Sequence, residues 1–331
     1  MAVSIEDIKK LRTMTGAGMM DCKNALAETG GDIQAAIEII RKKGQAVAAK
    51  REDRQAAEGC VLAGAKDGFA AIVALKCETD FVAKNESFRA LTKTILDAAV
   101  AASAKSLDEV KELKLEDGRT VAEHVTDEIG KTGEKMELGA YEYVEAPTVA
   151  AYEHLGNKLA TLVGLSEAGI DPSVGKEVAM QVAAMNPISV SRESVPAKVV
   201  EEETNIAIDK TKEEQVKKAV EAALKKAGYN LYICESDEHL NEGVMKGYIT
   251  EDDVVKIKAL KESVAAEKAA NLPAAMIENI AKGRLNKFFK ESCLMEQEYH
   301  RDAKMTVGEY LNGVQKGLVC LDFKRVNLNA D

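Results

Sequence analysis

Four histidines and six cysteines are the side chains best suited to hold a metal or attack a substrate. His124, His154, His239 and His300 have no second donor at ligand spacing. Cys22, Cys60, Cys77, Cys234, Cys293 and Cys320 are dispersed, with no Cys-x-x-Cys pair. Each cysteine therefore reads as a small buried apolar residue, and free thiols point to a cytoplasmic chain. Phosphate chemistry finds no better footing. Gly169 to Lys176 has five residues between its glycines, and Glu177 follows the lysine; a phosphate loop has four and then a Ser or Thr for magnesium. Gly16-Ala17-Gly18 falls between helices rather than after a strand, which argues against a dinucleotide site. Asp127-Glu128-Ile129-Gly130 is no more than a chance acidic pattern. The expectation is a protein that is not an enzyme and uses neither metal nor cofactor.

Composition narrows the classes further. The chain has 331 residues, with 45 Lys+Arg against 55 Asp+Glu and a net charge of −10. An acidic chain is a poor partner for free nucleic acid. Six Phe, eight Tyr and no Trp make a poor platform for stacking bases. The apolar runs are too short to span a membrane. Met1 to Lys10 is amphipathic and shows no secretory leader. With 46% apolar and 30% charged residues the chain is foldable, and its length suggests two or three domains.

The elements follow from caps and periods. Ser4 with Asp7 opens a helix carrying Ile5, Ile8 and Leu11 on one face. Thr15 to Gly18 breaks it, and a second helix covers Met19 to Glu28. Gly30-Gly31 stops that one; Asp32 caps a third, with Ile33, Ala36, Ile37 and Ile40 at helical spacing. The basic stretch Arg41 to Arg54 reads as a helical or extended linker. The period then changes to that of strands. Cys60–Ala65 and Phe69–Leu75 flank Lys66-Asp67-Gly68, a strong hairpin signal. Asn85 caps a helix with Phe88, Leu91, Ile95, Ala98 and Ala102 on its inner face. A polar helical stretch at about 106–131 leads to a second set of strands, Val149–Tyr152 and Leu159–Leu165, around Gly156-Asn157, then a helix over Val174–Met185.

Hairpin, connection and helix thus occur twice in one order, which reads as a duplicated α+β unit. Residues 196–228 and 251–290 form an antiparallel helical pair with a small structured tip. A short helix (Val307–Leu311) and a strand (Leu318–Val326) close the chain.

The duplication singles out Phe81. It lies in the strand-to-helix connection Thr79-Asp80-Phe81-Val82-Ala83-Lys84, whereas the equivalent connection, Gly169 to Ser173, has no aromatic. Folding of the unit does not require one there. A loop aromatic beside a carboxylate suits an interface anchor.

Two segments carry a resemblance. Leu11 to Leu26, reading Leu-Arg-Thr-Met-Thr-Gly-Ala-Gly-Met-Met-Asp-Cys-Lys-Asn-Ala-Leu and followed by Gly31-Asp32, is the first; Thr79-Asp80-Phe81-Val82-Ala83-Lys84-Asn85 is the second. In this order they resemble the translation elongation factor Ts family, guanine-nucleotide exchange factors of the GTPase elongation factor Tu. The resemblance is strongest over residues 1–105, continues through Tyr152-Glu153-His154 and returns at Lys304 to Leu311. It implies a ubiquitin-associated-like three-helix module with its linker over residues 1–55. The core would have two α+β halves, 56–140 and 141–331. A protruding antiparallel helical hairpin, with an insertion, would occupy about 190–290 of the second. The stretch 210–271 is longer than the family's usual hairpin, Glu298-Tyr299-His300-Arg301 is less apolar than usual, and the extra C-terminal helical module of some members is not expected.

The resemblance also implies roles. Thr79, Asp80, Phe81 and Val82 would enter the partner near its magnesium and the nucleotide β-phosphate, with Phe81 as wedge and Asp80 fixing the loop. Arg12, Met19 and Met20 would grip the GTPase domain; adjacent helical residues do not share a face, so at least one methionine must point outward. His154 would make a further contact beside the second hairpin. Family members can also pair as homo-oligomers through core or hairpin. The competing readings are a ubiquitin-associated-type adaptor without exchange activity, which leaves Thr79 to Asn85 unexplained, and an enzyme assembled from distant residues, which lacks a motif.

Overall fold

The structure is a computed structural model in which residues 3–329 are described. It divides into two units, one formed by the chain up to Val190 together with the part from Gln297 onward, the other by Ser191–Glu296.

The first unit opens with three helices: α1 (Ile5–Thr15), α2 (Met19–Glu28) and α3 (Ile33–Lys50). Ser4 Oγ accepts from the Asp7 N–H at 3.0 Å. The Asp32 carboxylate accepts from the Gln34 and Ala35 N–H groups at 2.9 and 3.1 Å. Ile8, Leu11, Cys22, Leu26, Ala36 and Ile37 form a small core. Ile5 is exposed instead of joining Ile8 and Leu11. A step of three residues falls about 60° short of a full helical turn, so Ile5 turns off the buried stripe. The basic stretch continues α3 to Lys50 rather than forming an extended linker.

Next come β1 (Glu58–Lys66) and β2 (Phe69–Cys77), antiparallel, with Lys66 opposite Phe69. The two-residue turn between them has Asp67 at φ 49° and Gly68 at φ 80°. Both values are left-handed, as the tight hairpin turn demands. β2 is then followed by a single helical turn, α4 (Asp80–Ala83), where a loop was expected, then α5 (Glu86–Ala102), α6 (Leu107–Glu112), α7 (Val121–Thr132) and β3 (Met136–Glu145). β3 pairs with β2 and completes a sheet of order β1-β2-β3. Sequence reading left this strand unassigned because its alternation is broken. The register slips opposite Ala74/Leu75, where Gly139 is the extra residue.

The second half supplies β4 (Thr148–Glu153), β5 (Leu159–Leu165) and α8 (Pro172–Met185). The last part of the chain adds β6 (Glu298–Tyr299), β7 (Asp302–Thr306), a short helix over Val307–Val314 and a strand over Cys320–Asn327, which joins β4 and β5 with β5 in the centre. The inner faces of the two three-stranded sheets meet through Val61, Ile72, Ala74, Val144, Ala160 and Leu162. The outer face of the first sheet is covered by α5, α6 and α7, and that of the second by α8. β2 is thus buried on both sides, which explains its unbroken apolar run.

α5 is rotated from expectation. Thr92, Leu96 and Ala99 join Phe88 and Ile95 inside, whereas Ala102 is exposed. Thr92 can be buried because its hydroxyl donates to the Phe88 carbonyl at 2.9 Å. The segment Glu298 to Arg301 is tied to α8. Gln181 donates to Gln297 Oε1 at 3.2 Å and accepts from the His300 N–H at 2.9 Å, and Arg301 forms a forked ion pair with Glu177.

The second unit is helical. Its four α-helices among the described residues are α9 (Ala197–Lys226), α10 (Asp237–Met245), α11 (Glu251–Ala270) and α12 (Ala274–Ser292). α9 packs against both α11 and α12, so the returning limb is two helices, broken at Pro273. The tip encloses Leu224, Cys234, Leu240 and Ile257 and contains α10, a helix where turns were expected. At the other end Arg192 pairs with Glu296, donates to Asn286 at 2.8 Å and lies 4.9 Å above the Phe289 ring. The remaining first-unit elements are numbered α13 (Val307–Val314) and β8 (Cys320–Asn327).

Candidate functional site

The residues Thr79 to Lys84 sit where β2 hands over to α5. Thr79 is the N-cap of α4, and its Oγ1 accepts from the Val82 N–H at 3.4 Å. The Thr79 hydroxyl and N–H donate to the two carboxylate oxygens of Glu134, at 2.7 and 3.1 Å. Below it the Cys77 thiol donates to the Thr79 carbonyl at 3.2 Å. Burial first, then the nearby carboxylates of Glu134 and Glu58, push that thiol up to about 12, against the smaller opposing effect of its hydrogen bond to Thr79. Val82 and Ala83 pack into the core under α5.

Phe81 stands apart from this inward binding, 84% exposed. An aromatic ring on a turn whose neighbours are all tied down does not owe its exposure to slack in the chain. Asp80 makes its hydrogen bond inside the turn, whereas Thr79 ties the turn to the core. The Asp80 carboxylate accepts from Lys84 at 2.6 Å, and this hydrogen bond holds it below the usual carboxylate range.

A cleft beside α4 is lined by Glu58, Asp80, Lys84, His154, Leu155 and Lys158, among others. Three bonds bring the β4–β5 turn there. The Val61 N–H donates to the Asn157 carbonyl at 2.7 Å, Arg89 donates to the Asn157 side chain at 3.0 Å, and Lys158 pairs with Glu58 at 2.6 Å. His154 is exposed, and its Nδ1 lies 2.9 Å from the Tyr152 hydroxyl. Leu155 next to it is 93% exposed.

The structure therefore brings Asp80 and His154 to one cleft, with Phe81 on the α4 turn beside it. Arg12, Met19 and Met20 are all exposed on the three-helix module, so both methionines face outward. They do not line this cleft. Sequence reasoning missed Leu155 and Glu134. Leu155 left a signal, since an apolar residue inside a hairpin turn has no core within reach. Glu134 left none, because its partner Thr79 is 55 positions away. Among the described residues no three His, Cys, Asp or Glu side chains are grouped to hold a metal ion, and all six cysteines are buried and free. No helix among the described residues is long and apolar enough to cross a membrane.

The family model described as "Elongation factor TS" matches residues 78–230 and 241–330. The chain is 57% identical to the elongation factor Ts of Phocaeicola vulgatus, 56% to that of Parabacteroides distasonis and 55% to that of Bacteroides fragilis. Each alignment runs over 332 residues and covers 100% of both chains. With matches over so much of its length, the chain belongs to the elongation factor Ts family of translation factors.

Proposed function

We propose that this chain is a guanine-nucleotide exchange factor for elongation factor Tu, and that the turn from Thr79 to Val82 is its working element. The observation that carries this reading is Phe81, 84% exposed on an anchored turn. An exposed aromatic held in place is the kind of side chain that anchors an interface. Phe81 enters an apolar pocket of the GDP-bound partner and shifts the elements that hold magnesium and the β-phosphate. Magnesium neutralises phosphate oxygens, so its displacement weakens GDP binding. Linkage is symmetric: a factor that loosens the nucleotide is itself loosened by the nucleotide, and GTP rebinding expels it. No covalent step is involved.

Supporting contacts are assigned to Arg12, Met19 and Met20 on the first module and to His154 beside the second hairpin. Residues 1–55 act as the partner-binding module with its linker. Residues 56–140 and 141–331 are the two halves of the core, the second including the helical segment at about 190–290. The protein works in the cytoplasm without cofactor.

The test is stopped-flow release of a fluorescent GDP from elongation factor Tu. The parent chain should accelerate release, and Phe81→Ala should lose most of that acceleration. A chain that binds the partner without speeding release would instead be an adaptor.

A further inference from the structure

We propose that Glu134 is a positioning residue for exchange, which keeps Phe81 presented by holding the N-cap of α4. This rests on the reading of Phe81 given above.

α4 has four residues, too few to persist as an isolated helix. Its internal cap bond, from the Val82 N–H to Thr79 Oγ1, is long at 3.4 Å. The turn needs support from outside, and Glu134 supplies it. Glu134 follows Gly133, whose φ of 73° ends α7 and redirects the chain toward β2. Its two carboxylate oxygens take both donors of Thr79 at 2.7 and 3.1 Å. A charged acceptor makes these bonds stronger than neutral ones. With the hydroxyl proton directed to Glu134, the Thr79 lone pairs are left to face Val82.

The neighbours repeat the arrangement in reverse. The Lys135 N–H donates to Glu78 Oε1 at 2.7 Å. Residues 78–79 and 134–135 thus brace each other crosswise. Glu78 also accepts from Arg54 at 2.9 Å, and Lys135 Nζ donates to the Glu52 carbonyl at 2.7 Å. The segment that follows the three-helix module is therefore fastened to the same brace. Both arms of the proposed partner grip, the module and the Phe81 turn, are referred to one point of the core.

The consequence is preorganisation. A ring that is already held outward loses less freedom when it enters a pocket than one on a mobile loop. Removing the Glu134 carboxylate frees Thr79 without touching any residue at the ring.

The chain has no Trp, so Phe81→Trp places a single indole at the site. Time-resolved fluorescence anisotropy is measured on the full chain with that substitution, alone and combined with Glu134→Ala or Glu134→Gln. A fast local depolarisation should appear with Glu134→Ala and be intermediate with Glu134→Gln, which keeps one acceptor oxygen. GDP release is measured in parallel without the indole. Glu134→Ala should lower the saturating release rate about tenfold while Phe81 is present. It should have no further effect in a Phe81→Ala background. The proposal is overturned if the anisotropy decay is unchanged by Glu134→Ala, or if release slows equally in both backgrounds, as general destabilisation would produce. If Phe81→Ala alone releases GDP at the parental rate, the reading of Phe81 fails, and the anisotropy still decides whether Glu134 holds the turn.

Discussion

Gly130 of α7 lies so close to Gly44 of α3 that a Cβ built on Gly130 would come within 2.8 Å of the Gly44 Cα. The reverse substitution is not equivalent. A Cβ on Gly44 meets Gly130 Cα and the Thr126 carbonyl at 3.5 Å, ordinary contact. Two helices that must cross with backbones touching need glycine on one of them, and here it is α7.

Gly130→Ala should therefore destabilise the protein by about 1–3 kcal/mol, as overpacking does. Gly44→Ala should be neutral or stabilising by up to about 1 kcal/mol, because alanine is the better helix former. Chemical denaturation of both variants measures the difference. Equal losses in the two variants would refute this asymmetry.

Phe81→Ala separates function from folding. At 84% exposure the ring contributes little to the core, so stability should stay within about 0.5 kcal/mol of the parent. If the ring anchors the interface, exchange efficiency should fall about thirtyfold, the equivalent of roughly 2 kcal/mol. Thermal melting and GDP-release kinetics give the two numbers on one preparation.

Leu155 makes a parallel case on the other half of the duplicated core. Leu155→Ser should leave the melting temperature unchanged, since the side chain is 93% exposed. If the cleft beside α4 receives the partner, this variant should weaken binding to elongation factor Tu about tenfold by titration calorimetry. Unchanged affinity would limit the contact to the Phe81 side.

Glu177 predicts a pH dependence. Its hydrogen bond from Arg301 holds its carboxyl below the ordinary value; His300 and Tyr299 also face it. A depressed folded-state value means the contribution is present above the unfolded carboxylate range, near about pH 4.3. It is lost as the pH falls through the lower folded value. Arg301→Gln should thus lose stability at pH 7 and show a shallower decline between about pH 5 and 3 than the parent. Denaturation midpoints over that range would decide it, and parallel curves would rule the pair out as a stabilising contact.

Much of this fold was legible because its signals are local. The caps at Ser4, Asp32 and Asn85, the Asp67-Gly68 turn and the end of α2 before Gly30 depend on residues a few positions apart. The errors came where the outcome depends on a distant surface. Ile5 and Ala102 fit a helical period yet face solvent, because the arc of each helix that is covered is set by what packs on it. β3 lost its alternation to a bulge set by pairing with β2. The tip helix α10 is held by packing of Leu240 against Leu224 and Ile257, which come from α9 and α11.

The sequence by itself determined the order of elements, the duplicated halves, the motif from Thr79 to Asn85 and the oddity of an aromatic at Phe81. These are properties of residue type and short spacing, fixed by backbone geometry and hydrophobic period. Only the tertiary structure decided that Thr79 hangs from Glu134, that the β4–β5 turn lies beside α4, and that Phe81 points away from the core. Hydrogen bonds and packing across 55 or more positions depend on how the sheets meet, and no local pattern encodes which side chain then lies within bonding distance of which.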